Sequence, residues 1–176
     1  DGTSLTEKDA APAFAEVRRR LASLPGVRSA SLSDTSPIST SGNLRRILVP
    51  GYSSPKPEAL WASEVSPDYF VTFGIPIENG RDFDESDAAG RPRTAIVNES
   101  MVRRYFHGKD PIDRYFHFGA GTDKPVQIVG VVRDAIQLDP RVQVVIDMDG
   151  YGPPSAKKAA YKWFVVQHPV QYTGWK

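Results

Sequence analysis

The chain has 176 residues, enough for one domain with a sizeable core or for two small lobes that share one. Hydrophobic residues make up 40% and charged residues 24%, and 22 Lys and Arg face 21 Asp and Glu for a formal net charge of +1. That composition excludes a disordered chain, and its even charge excludes a dedicated nucleic-acid binder, which needs a basic excess.

Cysteine is absent, which excludes disulfides, thiol chemistry and Cys-ligated zinc and fits either a reducing cytosol or a bacterial envelope. No window approaches the roughly 18 consecutive apolar residues that span a bilayer. No signal-peptide core opens the chain, and residue 1 is Asp rather than Met, so the sequence reads as a mature, processed or excised piece.

A first helix is expected over about residues 9–24, with Asp9 as its cap and Phe14, Val17, Leu21 and Leu24 on one face. Pro25 and Gly26 stop it, and residues 27–32 alternate apolar and polar as a half-buried strand. Residues 33–43 read as a loop, 47–49 as a short strand, 53–57 as a second loop and 60–65 as another strand.

The most distinctive run is VSPDYFVTFGIPIENGRDF, residues 65–83. Ser66 is expected to cap a short helix, with Pro67 first and Asp68 near the positive end of its dipole. Tyr69, Phe70 and Phe73 line that helix, Gly74 ends it, 75–77 run extended, and Asn79-Gly80 make a turn. The expected core of this stretch is Tyr69, Phe70, Phe73, Ile75, Ile77 and Phe83, with Gly74 and Gly80 setting the turns. Its role on this reading is architectural.

Residues 94–97 form a buried strand, and Asn98 caps a helix whose apolar stripe is Met101, Val102, Tyr105 and Phe106, closed by Gly108. A turn at 110–112 leads to an aromatic strand holding Tyr115, Phe116 and Phe118, and 119–125 connect it to 126–132, the strongest strand signal. Two more β-rich segments, 142–148 and 162–167, flank a loop at 149–155. Strands outnumber helices in mixed order, which is the pattern of an α+β domain.

None of the motifs carries catalysis. Asp82, Asp84, Glu85 and Asp87 suggest a calcium loop, but counting from Asp82 its sixth and twelfth positions hold Asp87 and Arg93 instead of Gly and Glu. A solvated acidic turn is the reading. His107 and His117 bracket Asp110 and Asp113, yet a helix end, a turn and a strand separate them. Gly119 and Gly121 lack a third glycine, since Lys124 stands there. No Gly-x-Ser-x-Gly elbow exists. The sequon Asn98-Glu99-Ser100 falls on a helix start, and the clusters Arg18–Arg20, Arg45-Arg46 and Arg103-Arg104 read as solvated faces.

Residues 22–33 (ASLPGVRSASLS), 65–83, 94–119 (TAIVNESMVRRYFHGKDPIDRYFHFG) and 126–134 (VQIVGVVRD) occur in that order. Together, over about residues 10–135, they resemble the periplasmic core domain of MacB-like ABC-transporter permeases, in the FtsX-like permease superfamily. The resemblance ends near Asp134; the segments 140–148 and 161–167 could supply the strands that complete the family pattern.

The resemblance implies an α+β, two-lobed fold. A porter-like βαβ lobe would be built from about residues 1–35 and 93–176, and a β-rich lobe would be inserted at about 36–92. It implies a non-catalytic domain without cofactors, set between two membrane helices on the periplasmic side of a bacterial inner membrane. Such a domain transmits ATP-driven change from a cytoplasmic ATPase domain or subunit, works beside a second permease protomer, and exports a substrate or engages a periplasmic adaptor. A second reading is a binding module for a lipid, peptide or lipoprotein, with Tyr52, Trp61 and Phe118 as its candidate groove. A free-standing enzyme would need a converging acid, base or metal set.

Overall fold

The computed structural model describes residues 7–34, 43–53, 58–87, 93–119, 124–134, 143–147 and 163–167. In chain order they form α1 (Glu7–Ala22), β1 (Ser29–Ser33), β2 (Asn43–Leu48), β3 (Ala59–Val65), α2 (Tyr69–Phe73) and β4 (Ile77–Gly80). A single 3-10 turn, Glu85–Asp87, precedes β5 (Arg93–Asn98), α3 (Glu99–Phe106), β6 (Tyr115–Phe118), β7 (Val126–Val132), β8 (Gln143–Asp147) and β9 (Trp163–Gln167). The fold is α+β.

Local chemistry explains the helix ends. The Asn98 side chain accepts the Met101 N–H at 3.0 Å, and His107 closes α3 in the left-handed conformation, φ 54°. Gly74 closes α2 in the same way, φ 66°, its N–H reaching the Phe70 and Val71 carbonyls. Two expected caps are corrected. Asp9 lies inside α1, which already runs from Glu7. Ser66 does not cap α2, because it bridges to β1 instead. Its Oγ accepts the Leu32 N–H at 2.8 Å and its own N–H donates to the Leu32 carbonyl at 2.9 Å. The capping position falls to Asp68, at φ 68° with no side-chain cap bond.

Strand β2 hydrogen-bonds to β3 on one side and to β6 on the other, so β2–β6–β7–β5–β8–β3 close into a ring. β3 with β8 and β5 with β7 run parallel, and the other pairs in the ring are antiparallel. Closure removes the free edges that a short open sheet would leave. β1 joins β3 at Ser33–Val65 and carries β9, while β4 pairs with β7. β2 and β3, from the segment 36–92, therefore share one ring with β5, β6 and β7.

Side chains alternate across this wall. Leu60 and Ala62 of β3, Ala95 and Val97 of β5, Phe116 and Phe118 of β6, and Val126, Ile128 and Val131 of β7 gather in one cluster with Met101, Tyr105 and Phe106 of α3. Strands from around the ring contribute to it, so it is the ring's interior. Val65, Ile96, Val129 and Val132 face the other way and form a second cluster with Tyr69, Phe70 and Phe83.

Asn79 and Gly80 were expected as a turn; they end β4 instead. Arg81 N–H donates to the Val129 carbonyl at 3.0 Å, and Gly80 lies opposite Gly130 across a bulged register. Gly80 has φ 75°, and a Cβ there would sit 2.2 Å from the Val129 carbonyl oxygen. A Cβ on Gly130 would sit 2.4 Å from the Arg81 carbonyl oxygen. Both glycines are required by backbone approach. Gly74 shares the positive φ but has no atom within 4 Å of its missing Cβ. Gly74→Ala is therefore expected to cost about 1 kcal/mol for the left-handed conformation alone. Gly80→Ala should cost about 1–3 kcal/mol more, because the clash is added to it. Urea unfolding of the two variants measures the gap, and equal losses would contradict the close approach.

Candidate functional site

The segment from Ser66 to Asp87 is the best-built feature on the outside of the ring. Tyr69 stands edge-on to Phe70 with centroids 5.3 Å apart, Tyr69 and Phe73 lie at 4.9 Å, and Phe70 and Phe83 at 6.3 Å. Tyr69, Phe70 and Phe83 are buried, and Phe73, Ile75 and Ile77 are partly buried against them. Each large ring contributes roughly 1.5–3 kcal/mol of burial relative to exposure.

The acidic turn that follows is not solvated at its end. The Asp87 side chain is 2% exposed and receives the Arg81 guanidinium at 2.6 and 2.8 Å and the Asp84 N–H at 3.0 Å. Burial pushes the Asp87 carboxyl up, but these donors outweigh it and hold it below its ordinary value. Asp82 is raised by burial, partly offset by its bond from the Phe83 N–H at 2.7 Å.

Two further carboxylates brace α3. Glu58 accepts Tyr105 Oη at 2.6 Å, Arg104 Nε at 3.0 Å and Tyr52 Oη at 3.2 Å. Burial, and then the bond to Glu58, raise the Tyr105 hydroxyl, while Glu58 raises the Arg104 guanidinium. Asp134, just beyond β7, accepts the Ser100 N–H at 2.9 Å and Ser100 Oγ at 2.7 Å, and pairs with Arg103. Burial raises its carboxyl, but these donors outweigh it and the net shift is downward. An anion thus sits at the α3 N-terminus, and it is the chain's own.

The arginine clusters, expected as solvated faces, keep Arg19, Arg20, Arg46, Arg103 and Arg104 exposed, while Arg18 and Arg45 prove to be covered braces. Arg18 pairs with Asp68 at 2.9 Å and joins α1 to the start of α2. Arg45 pairs with Glu64 at 3.2 Å, both side chains largely covered, with its guanidinium 5.3 Å from the Phe118 ring centroid. Arg19 and Arg20 stay on the surface of α1, both bonded to Glu16, and Arg103 and Arg104 stay exposed on α3 while pairing with Asp134 and Glu58. Asp110 accepts from Asn79 Nδ2 and the Ile112 N–H, each at 3.0 Å, and Asp113 accepts Gln127 Nε2 at 2.9 Å. These two carboxylates between the histidines organise turns.

The candidate groove residues do not share one open face. Phe118 is 2% exposed inside the ring, edge-on to Phe116 at 5.3 Å. Tyr52 is half-buried against Tyr105 at 4.8 Å, and Trp61 occupies an outward position of β3.

The profile of one family, the MacB-like periplasmic core domain, matches residues 1–167. The chain belongs to this family. It is 33% identical over 70 residues to the macrolide export ATP-binding/permease protein MacB 2 of Aeromonas hydrophila subsp. hydrophila, a stretch that covers 40% of this chain and 10% of that protein. Its fold is similar to the periplasmic region of MacB from Actinobacillus actinomycetemcomitans, with TM-score 0.59 and 15% identity over 90% of this chain and 67% of that one. It is also similar to the extracellular domain of the noncanonic ABC-type transporter YknZ from Gram-positive bacteria, TM-score 0.55 and 15% identity over 97% and 76% of the two chains. A domain of a permease protein from Porphyromonas gingivalis gives TM-score 0.55 and 18% identity over 90% and 66%. Among the described residues no helix is long and apolar enough to cross a membrane.

In this MacB-like domain the Arg81–Asp87 brace has a testable pH signature. A carboxylate held below its unfolded value stabilises the fold fully above that value, near 3.9, and loses the contribution as pH falls through its folded value. The stability gap between the wild type and Asp87→Asn is expected to be constant from about pH 7 to about pH 5 and to shrink below about pH 4. Asp82 titrates in both proteins, raised mainly by burial, so only its coupling to Asp87, the least of its causes, enters the difference. Urea unfolding across that range checks it, and a gap that persists unchanged to about pH 3 would contradict the brace.

Proposed function

We propose that the chain is the non-catalytic extracytoplasmic domain of an ABC-transporter permease, carrying ATP-driven conformational change from the membrane to an export substrate or an envelope partner. The chain covers only a tenth of the length of its curated relative, so the ATPase, the membrane helices and the cargo belong to this proposal. ATP hydrolysis is assigned to a cytoplasmic domain or subunit, connected through membrane helices on the inner-membrane side. The working unit is a pair of permease protomers, with a periplasmic adaptor as the further partner.

The observation that carries this reading is mechanical. The closed ring, the aromatic cluster outside it, and the braces at Asp87, Glu58 and Asp134 tie distant segments into one stiff body. A stiff body transmits a displacement applied at one end, whereas a soft one absorbs it. Glu58, Glu64, Asp68, Asp87 and Asp134 are spent on internal arginine or tyrosine donors, which suits a strut.

The test uses the absence of cysteine in this chain. Labels placed through Val71→Cys on α2 and Tyr115→Cys on β6, both exposed positions, report distances in the full-length transporter by pulsed electron resonance. Trapping the ATP-bound state is expected to leave the Val71–Tyr115 distance within one domain unchanged. The distance between equivalent labels on two protomers should shift. A change within the domain, or none between protomers, would overturn the proposal.

A further inference from the structure

Three exposed large apolar side chains lie along adjacent strands: Leu44 and Leu48 of β2 and Tyr115 of β6, at 59, 48 and 45% exposure. Register places them on one face. Leu44 lies opposite Trp61, Arg46 opposite Ala59, and Leu48 opposite His117. Ile47 turns inward to the ring's core, as do Leu60, Ala62, Phe116 and Phe118, so the alternate positions face out. The outward residues of β2, β3 and β6 in this region are Leu44, Arg46, Leu48, Ala59, Trp61, Ser63, Tyr115 and His117, and among them only Arg46 carries a permanent charge.

The outside of the same sheet shows what such a face accepts. At Val65, the far end of β3, and along β5 and β7 it is covered by Tyr69 and Phe70 of α2. Towards β2 and β6 the outward side chains of Leu44, Arg46, Leu48 and Tyr115 remain exposed, while Trp61 and His117 are half-buried. Alternate strand residues are spaced by about 6.7 Å, close to the 6 Å rise of four helical residues. A helix laid along β2 can therefore set successive turns over Leu44, Arg46 and Leu48.

We propose that this face docks an amphipathic helix of a protein partner that carries a carboxylate flanked by apolar side chains. The flanking groups cover Leu44, Trp61 and Leu48, and the carboxylate meets Arg46. Charge decides against a second copy of the chain, because a two-fold pairing of this stripe sets Arg46 against Arg46. It also decides against a membrane surface, which needs more than one cation beside a modest apolar area. The assignment stands on this face and is independent of the transporter reading.

The probe is a synthetic helical peptide with leucines on either side of a glutamate on one face, and its twin with lysine at that position. Titrated into the isotope-labelled chain, the glutamate peptide is expected to shift amide resonances of β2 and β6 and the Trp61 indole. The lysine peptide should bind roughly tenfold more weakly, the weight of about one charge pair in a partly desolvated contact. Arg46→Glu should reverse that preference, and Leu48→Asp should abolish binding while leaving the melting temperature near the wild type, since Leu48 is exposed. Equal response to both peptides, or no response to either, would overturn the proposal. So would self-association that Leu48→Asp abolishes, or co-sedimentation of the chain with phosphatidylcholine–phosphatidylglycerol vesicles.

Discussion

Strand β7 must be covered on both faces, because Val126, Ile128 and Val131 point into the ring while Val129 and Val132 point out of it. A strand apolar on both sides cannot sit at the surface of a sheet with one wet face. The ring supplies the inner cover by closing through β2. The outer cover has to come from elsewhere in the chain, and the run from Tyr69 to Phe83 supplies it. The two clusters are thus two sides of one wall. The bulge at Val129 lets that wall change its inward set from Ile128 to Val131 without breaking its pairing with β5.

Position matters as much as apolarity. The aromatic run reaches the wall only because β4 lies directly against β7, and β4 lies there only because Gly80 and Gly130 have no side chains to hold the backbones apart. Arg133 reinforces the same pair through Glu78 at 2.6 Å. The Arg81–Asp87 brace then closes the end of the segment over Phe83. Loops at 58 and 134 are fixed to α3 from opposite ends, through Glu58 near its C-terminus and Asp134 near its N-terminus. That connectivity, with Glu58, Asp87 and Asp134 committed to internal braces, is what the proposed force-carrying role draws on.

What could be read in the sequence was what local chemistry decides. Asn98 as a cap, the α3 stripe, Gly74 as a stop and the continuous apolar runs of β5 and β7 depend on neighbours a few residues away. Asn79-Gly80 misled because that pair favours a turn by itself, and the glycine that recruits it into a strand lies fifty residues on. Ser66 misled likewise: Ser-Pro before an acidic residue is a helix start unless a strand amide, here that of Leu32, claims the hydroxyl first. Arg45 looked like part of a surface pair, yet ring closure turns it inward onto Glu64. Glu58 gave no signal at all, since it follows a proline-rich loop and its partners sit in α3. Ring closure itself was beyond reach, because β2 shows nothing that says it pairs on both edges.

Hydrogen exchange on the isolated chain tests most directly whether wall and cover form one body. The account predicts that amides of β5 and β7 and the α2 amides bonded within the aromatic segment open together, with one free energy that falls in parallel as urea is added. An α2–β4 segment that exchanges well before β5 and β7, with its own shallower urea dependence, would show a separable cover and contradict the account.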